Sequence, residues 1–150
     1  MITRRDLLVG LLSATATLAG VATLRSQQPV MGSRIFDFAK LAETTTAVGS
    51  RRDLVRAPTA TLDELEMHIT SLNAYQPAHA PHQHPDEELI IVKEGTVEVL
   101  VNGETQTVGP GSVVFQASNQ MHGIRNAGAA RATYHVIRWI SPGMLAKKPN

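Results

Sequence analysis

The chain predicts an all-β domain of the sandwich or barrel type. Three observations carry that expectation. Apolar and polar residues alternate in short runs, the period of a strand with one buried face. Glycine, proline and asparagine punctuate these runs at short intervals. No segment holds a helical period over a convincing length. With 150 residues there is chain enough for one real core, and the formal net charge of +1 comes without any Lys/Arg stripe. That pattern argues against a nucleic-acid partner. The chain has no Cys, which excludes disulfides and thiolate metal sites, so any metal must be held by His and carboxylate.

Residues 1–22 read as an export signal. Arg4-Arg5 stand directly before a mildly apolar, small-residue stretch from Leu7 to Ala22, and Gly20-Val21-Ala22 offers a small-x-small cleavage site. The pattern resembles a twin-arginine (Tat) signal, which implies a periplasmic or otherwise exported protein with no stable membrane anchor after cleavage. Cleavage removes Arg4, Arg5 and Asp6 from a total of 14 basic and 13 acidic residues, leaving a mature chain of zero net charge.

Residues 23–33 have no period and read as a linker. Arg34 to Phe38 alternates and is expected to form a short strand. With Ile35, Phe36 and Phe38 it is also the segment expected to pair two copies into a homodimer. Residues 39–50 are expected to be loop, and Arg51 to Arg56 a strand. Leu65, Met67 and Ile69 alternate with Glu66, His68 and Thr70, which predicts a half-buried strand. Asn73 to Pro81 is a loop, and Leu89 to Val92 a strand buried on both faces or nearly so. Val97, Val99 and Val101 lead to Asn102-Gly103, the signature of a type I′ hairpin whose partner strand runs over Thr105 to Val108. Gly109-Pro110-Gly111 turns the chain into Val113-Val114-Phe115, and a short loop at Ala117 to Gln120 precedes His122. The last strand is Arg131 to Ile140, with Tyr134, Val136 and Arg138 on one face and His135, Ile137 and Trp139 on the other.

The chemistry concentrates in His82-Gln83-His84-Pro85-Asp86-Glu87-Glu88. Histidines two apart on extended backbone share a face. A turn through Pro85 and Asp86 brings Glu88 back beside them. Two imidazoles and a carboxylate suit divalent Mn, Fe, Co, Ni, Cu or Zn, and His122 is a fourth candidate ligand. Glu87 points to the opposite face from Glu88 and is expected to be a solvated carboxylate. His79, in a proline-bounded loop, is expected to be a rim residue, with proton shuttle or fifth ligand as the alternatives. His68, His135, Arg125 and Gln116 are candidates for the groups around the metal, as hydrogen-bond partners of a substrate or as acid or base. Tyr75, Tyr134 and Trp139 are expected in the core.

These residues resemble the cupin family. His82, His84, Glu88 and Gly95 fall on the spacing of its first motif, G-x5-H-x-H-x3,4-E-x6-G. Gly111, His122 and Asn126 fall on its second, G-x5-P-x-G-x2-H-x3-N. Gln76, Ala117 and Asn119 stand where the motifs have Gly, Pro and Gly. The resemblance implies a single jelly-roll β-barrel over residues 34–150, with its core at about 60–140. It implies one divalent ion (Mn, Fe, Ni or Zn) inside the barrel on His82, His84, Glu88 and His122. The implied activity is that of a metal-dependent dioxygenase, isomerase or hydrolase acting on a small polar or carboxylate-bearing metabolite. The competing class is a non-catalytic periplasmic module that binds metal or a small ligand.

Overall fold

The computed structural model describes residues 29–144, and the expected export signal lies outside them. Its strands are β1 (Thr44–Thr46), β2 (Gly49–Ala57), β3 (Glu64–Leu72), β4 (Glu87–Glu94), β5 (Val97–Val101), β6 (Glu104–Val108), β7 (Val113–Gln116), β8 (Gly123–Asn126) and β9 (Ala132–Ile140). They form a six-stranded sheet in the order β1-β2-β3-β9-β4-β7 and a three-stranded sheet in the order β6-β5-β8. Every pairing is antiparallel. The inner faces of both sheets meet in one core, where Leu72, Ile90, Val114, Tyr134 and Val136 of the large sheet pack with Val97, Val99 and Ile124 of the small one. This is the jelly-roll barrel.

Local chemistry explains the turns. Asn102 and Gly103 have φ of 53° and 81°, the two left-handed residues that a type I′ turn needs, and Val101 pairs with Glu104 across it. Asn119 stands where the motif has glycine and adopts φ 57°, a conformation that Asn tolerates better than most side chains. The departure from the motif is thus absorbed by the residue type best able to replace glycine there. Gly95, at φ 79°, has no such substitute, because a Cβ would lie 2.6 Å from the Ala132 Cα.

The N-terminal part differs from expectation. Arg34 to Phe38 is not a strand. Asp37 accepts a hydrogen bond from the Ala39 N–H at 3.1 Å and starts a 3-10 turn over Phe38–Lys40, so a local cap wins over strand propensity. Ile35 is 92% exposed among the described residues. Within the expected loop, Thr44–Thr46 forms a short strand paired with Gly49–Arg51, as its β-branched threonines favour.

The strand β3 turns its polar side inward. Glu66, His68 and Leu72 are buried in the barrel, while Leu65 and Met67 on the other face are only half-buried. Alternation gave the period correctly, but hydrophobicity alone would have chosen the wrong face. The interior at this end is a polar cavity rather than a packed core.

Candidate metal centre and its cavity

The two histidine-bearing segments are clasped by their backbones. His82 N–H donates to the His122 carbonyl at 3.0 Å, and His122 N–H donates to the His82 carbonyl at 2.9 Å. This bridge brings His82, His84 and His122 together, with one ring nitrogen of each within 4.8 Å of the others. Glu88 lies alongside, its Oε2 at 3.8 Å from His84 Nε2.

Hydrogen bonding sets which nitrogens are bare. His84 Nδ1 donates to the Asp86 carbonyl at 2.9 Å, and His122 Nδ1 to the Gln120 carbonyl at 2.8 Å. A carbonyl only accepts, so Nδ1 carries the proton in both rings and Nε2 keeps its lone pair. The Asp86 carboxylate also faces His84 Nδ1 at 3.0 Å, the arrangement that orients a metal-binding imidazole and raises its basicity. Both Nε2 atoms and His82 Nδ1 are buried without a hydrogen-bond partner. Three converging, unpartnered ring nitrogens are unusual in a protein interior, and a divalent ion would satisfy them. Burial, with His79, His122 and His84 crowded around it, pushes the His82 pKa down to about 4, so the ring is neutral and ligand-ready at neutral pH.

Strand register lays a row of polar side chains across the inner face of the large sheet. Glu66 on β3 is opposite Arg138 on β9, Arg138 is opposite Glu88 on β4, and Glu88 is opposite Gln116 on β7. Arg138 Nε donates to Asp86 Oδ2 at 2.6 Å, and its Nη2 contacts the same oxygen. Glu66 Oε1 accepts from Arg51 Nη2 at 2.7 Å and from His68 Nδ1 at 2.8 Å. Burial works against the charged Glu66 carboxylate, but the His68 bond and the Arg51 guanidinium more than offset it and hold its pKa below the usual value. A cavity of about 330 Å³ opens beside these groups, and its lining includes His82, Glu88, Arg51, His68 and Arg138.

The sequence candidates divide accordingly. His68 lines the cavity. Gln116 is buried on the inner face, its Nε2 without a partner. His135 sits on the opposite face of β9, where strand alternation puts it, and burial together with nearby Lys93 lowers its pKa. Arg125 is exposed on β8, 3.4 Å from Glu98, away from this cavity. Glu87 accepts from Trp139 Nε1 at 3.0 Å on the outer face. His79 stacks edge-on against His82, their ring centroids 4.3 Å apart. Asn126 is fully buried as a structural clamp: its Nδ2 reaches the Asn73 and Ala130 carbonyls, and its Oδ1 accepts from Gly128 N–H. Sequence reasoning missed Arg51, Glu66, Asp86 and Arg138 as members of the site. For Glu66 the available signal was its place two residues before His68 on one strand face.

The comparisons with known proteins agree with this geometry. A family model described as the cupin domain (Cupin_2) matches residues 71–138, the stretch holding all three histidines and Glu88. The barrel has the cupin fold. No curated protein matches the chain. Among solved structures, an RmlC-like cupin from Shewanella frigidimarina aligns with TM-score 0.61 at 15% identity, covering 77% of this chain and 96% of that one. KdgF from Halomonas sp. aligns with TM-score 0.60 at 17% identity, over 75% and 99% of the two chains. A sugar phosphate isomerase of the cupin superfamily from Silicibacter pomeroyi aligns with TM-score 0.57 at 17% identity, over 73% and 77%. At these identities the likeness is one of cupin fold.

Proposed function

We propose that this protein is an exported, metal-dependent cupin enzyme acting on a small polar or carboxylate-bearing metabolite. The observation that carries the reading is the set of three unpartnered ring nitrogens on His82, His84 and His122, beside a cavity that also holds two guanidinium groups. His82, His84 and His122 would hold the ion, with Glu88 as the fourth ligand. A divalent ion in such a site supplies a Lewis acid with positions left for water or substrate. The chain's own groups do the rest. Asp86 orients His84, Arg138 holds Asp86 in place, and Arg51 and Arg138 attract an anionic substrate. A cavity of about 330 Å³ suits a molecule at the small end of the range that pockets accept. Some proteins of this fold bear enzyme names, among them a polyketide cyclase and a sugar phosphate isomerase.

The test is metal content, by elemental analysis of protein taken from the exported fraction, followed by titration of the metal-free form. We expect one divalent ion per chain and a rise in melting temperature on loading, since the ion binds only the folded site. His122→Ala should weaken affinity by more than the roughly 10- to 100-fold typical of an outer partner, while Glu87→Ala, on the outer face, should leave it unchanged. Glu87→Ala losing the ion while Glu88→Ala keeps it would overturn the ligand assignment.

Export belongs to the same proposal. The motive is Arg4-Arg5 ahead of the mildly apolar run. Replacing both with Lys should retain the protein in the cytoplasm, and an exported form that begins at Met1 would refute cleavage.

A further inference from the structure

The cavity beside the histidines carries a second set of reactive groups that the proposed metal site does not use. His68 is buried and lines the cavity. Its Nδ1 lies 2.8 Å from Glu66 Oε1. Glu66 is ionised, so it accepts, and His68 must carry its proton on Nδ1. Its Nε2 then presents a bare lone pair and makes no hydrogen bond to any described residue. Arg51 grips the same Glu66 oxygen through Nη2 at 2.7 Å and uses Nε on Asp53 at 2.6 Å, and it also lines the cavity, its Nη1 without a hydrogen bond among the described residues. Arg138 Nη1 likewise makes no hydrogen bond among the described residues, its nearest carboxylate being Glu66 Oε2 at 4.0 Å. A carboxylate-held imidazole facing a cavity flanked by two guanidinium groups is the constellation of a positioned base beside an anion anchor.

We infer that His68 is a proton-transfer residue, that Glu66 is its positioning residue, and that Arg51 anchors the carboxylate of a small substrate with an acidic C–H bond beside its carbonyl. This rests on the reading of the cavity as a substrate site. In the step, His68 Nε2 takes the proton from carbon. The C–H electron pair becomes the carbon–carbon π bond of an enolate, and the carbonyl oxygen takes the negative charge. The imidazolium so formed faces the Glu66 carboxylate, which stabilises it. Reversal of the step returns a solvent-exchanged proton to the same carbon. The row Glu66, Arg138, Glu88 across the sheet sets the proton device beside the proposed ligand Glu88 in one cavity.

Pyruvate is the probe, because it carries a carboxylate, a carbonyl and exchangeable C–H bonds in one small molecule. Loss of its methyl proton signal in D2O is followed by NMR with zinc-loaded protein. We expect exchange well above buffer, and a loss of at least about 100-fold in His68→Gln, with zinc content and pyruvate affinity unchanged. Arg51→Gln should weaken pyruvate binding at unchanged zinc content. In metal-free protein, 15N shifts of labelled histidine should show His68 protonated at Nδ1 only, and Glu66→Gln should mix the two tautomers. That tautomer is read on the unsubstituted chain and without an ion. It therefore tests the dyad even where a variant folds poorly, and separately from the metal reading. Pyruvate bound without exchange, exchange at the original rate in His68→Gln, failure to bind pyruvate, or an Nε2-protonated His68 would each overturn the inference.

Discussion

Asp86 serves two neighbours at once. Its Oδ1 faces His84 Nδ1 at 3.0 Å, and its Oδ2 takes the Arg138 guanidinium. Asp86→Asn keeps the size and removes the charge, so His84 loses basicity and Arg138 loses its ionic partner. We expect metal affinity to fall by about 10- to 100-fold, measured by competition with a chelating dye, with His84 still in place. A second prediction concerns acid. The pKa of His82 is lowered to about 4 in the folded chain, while the unfolded ring titrates near its ordinary value. Between about pH 6.5 and 4 the unfolded chain therefore binds more protons, and stability falls as pH falls through that window. The lowered His135 acts in the same direction, and the lowered Glu66 extends the loss below its ordinary carboxylate range. Melting temperatures of metal-free protein from pH 7 to 4 should drop steadily, and His82→Asn should flatten the upper part of the slope.

At the scale of elements, two glycines with almost the same φ test different physics. Gly95 (φ 79°) would place a Cβ 2.6 Å from Ala132 Cα, whereas Gly103 (φ 81°) has open space around it. Gly103→Ala should cost only the backbone strain, about 1 kcal/mol. Gly95→Ala adds a clash between packed strands and should cost more than the roughly 3 kcal/mol upper end of strain alone, read from denaturant unfolding of both variants. The same elements show what was legible in the sequence. The hairpin at Asn102-Gly103, the Leu89 to Val92 run and the faces of β9 followed from period and turn chemistry, because those signals are local. Arg34 to Phe38 did not follow, since five alternating residues cannot reveal that they pair with no strand among the described residues and that Asp37 caps a turn. The histidines that the fold brings together, His82, His84 and His122, were legible from their spacing. Arg51, Glu66, Asp86 and Arg138 were not, because only strand register places Glu66 opposite Arg138 and sets Arg51 against Glu66 from the next strand.

Across the whole molecule, the backbone clasp between His82 and His122 matters beyond holding two rings near each other. The segments that carry the three histidines are joined by peptide hydrogen bonds, as strands are, so the clasp itself needs no ion. On the proposed metal reading, metal entry would then be a late and separable event. It would be governed by which ions the folded protein meets and by how fast they shed water at the cavity mouth. Two pools of the same polypeptide, folded in compartments of different metal supply, would carry different ions in an identical scaffold, and the chemistry performed would depend on the place of loading.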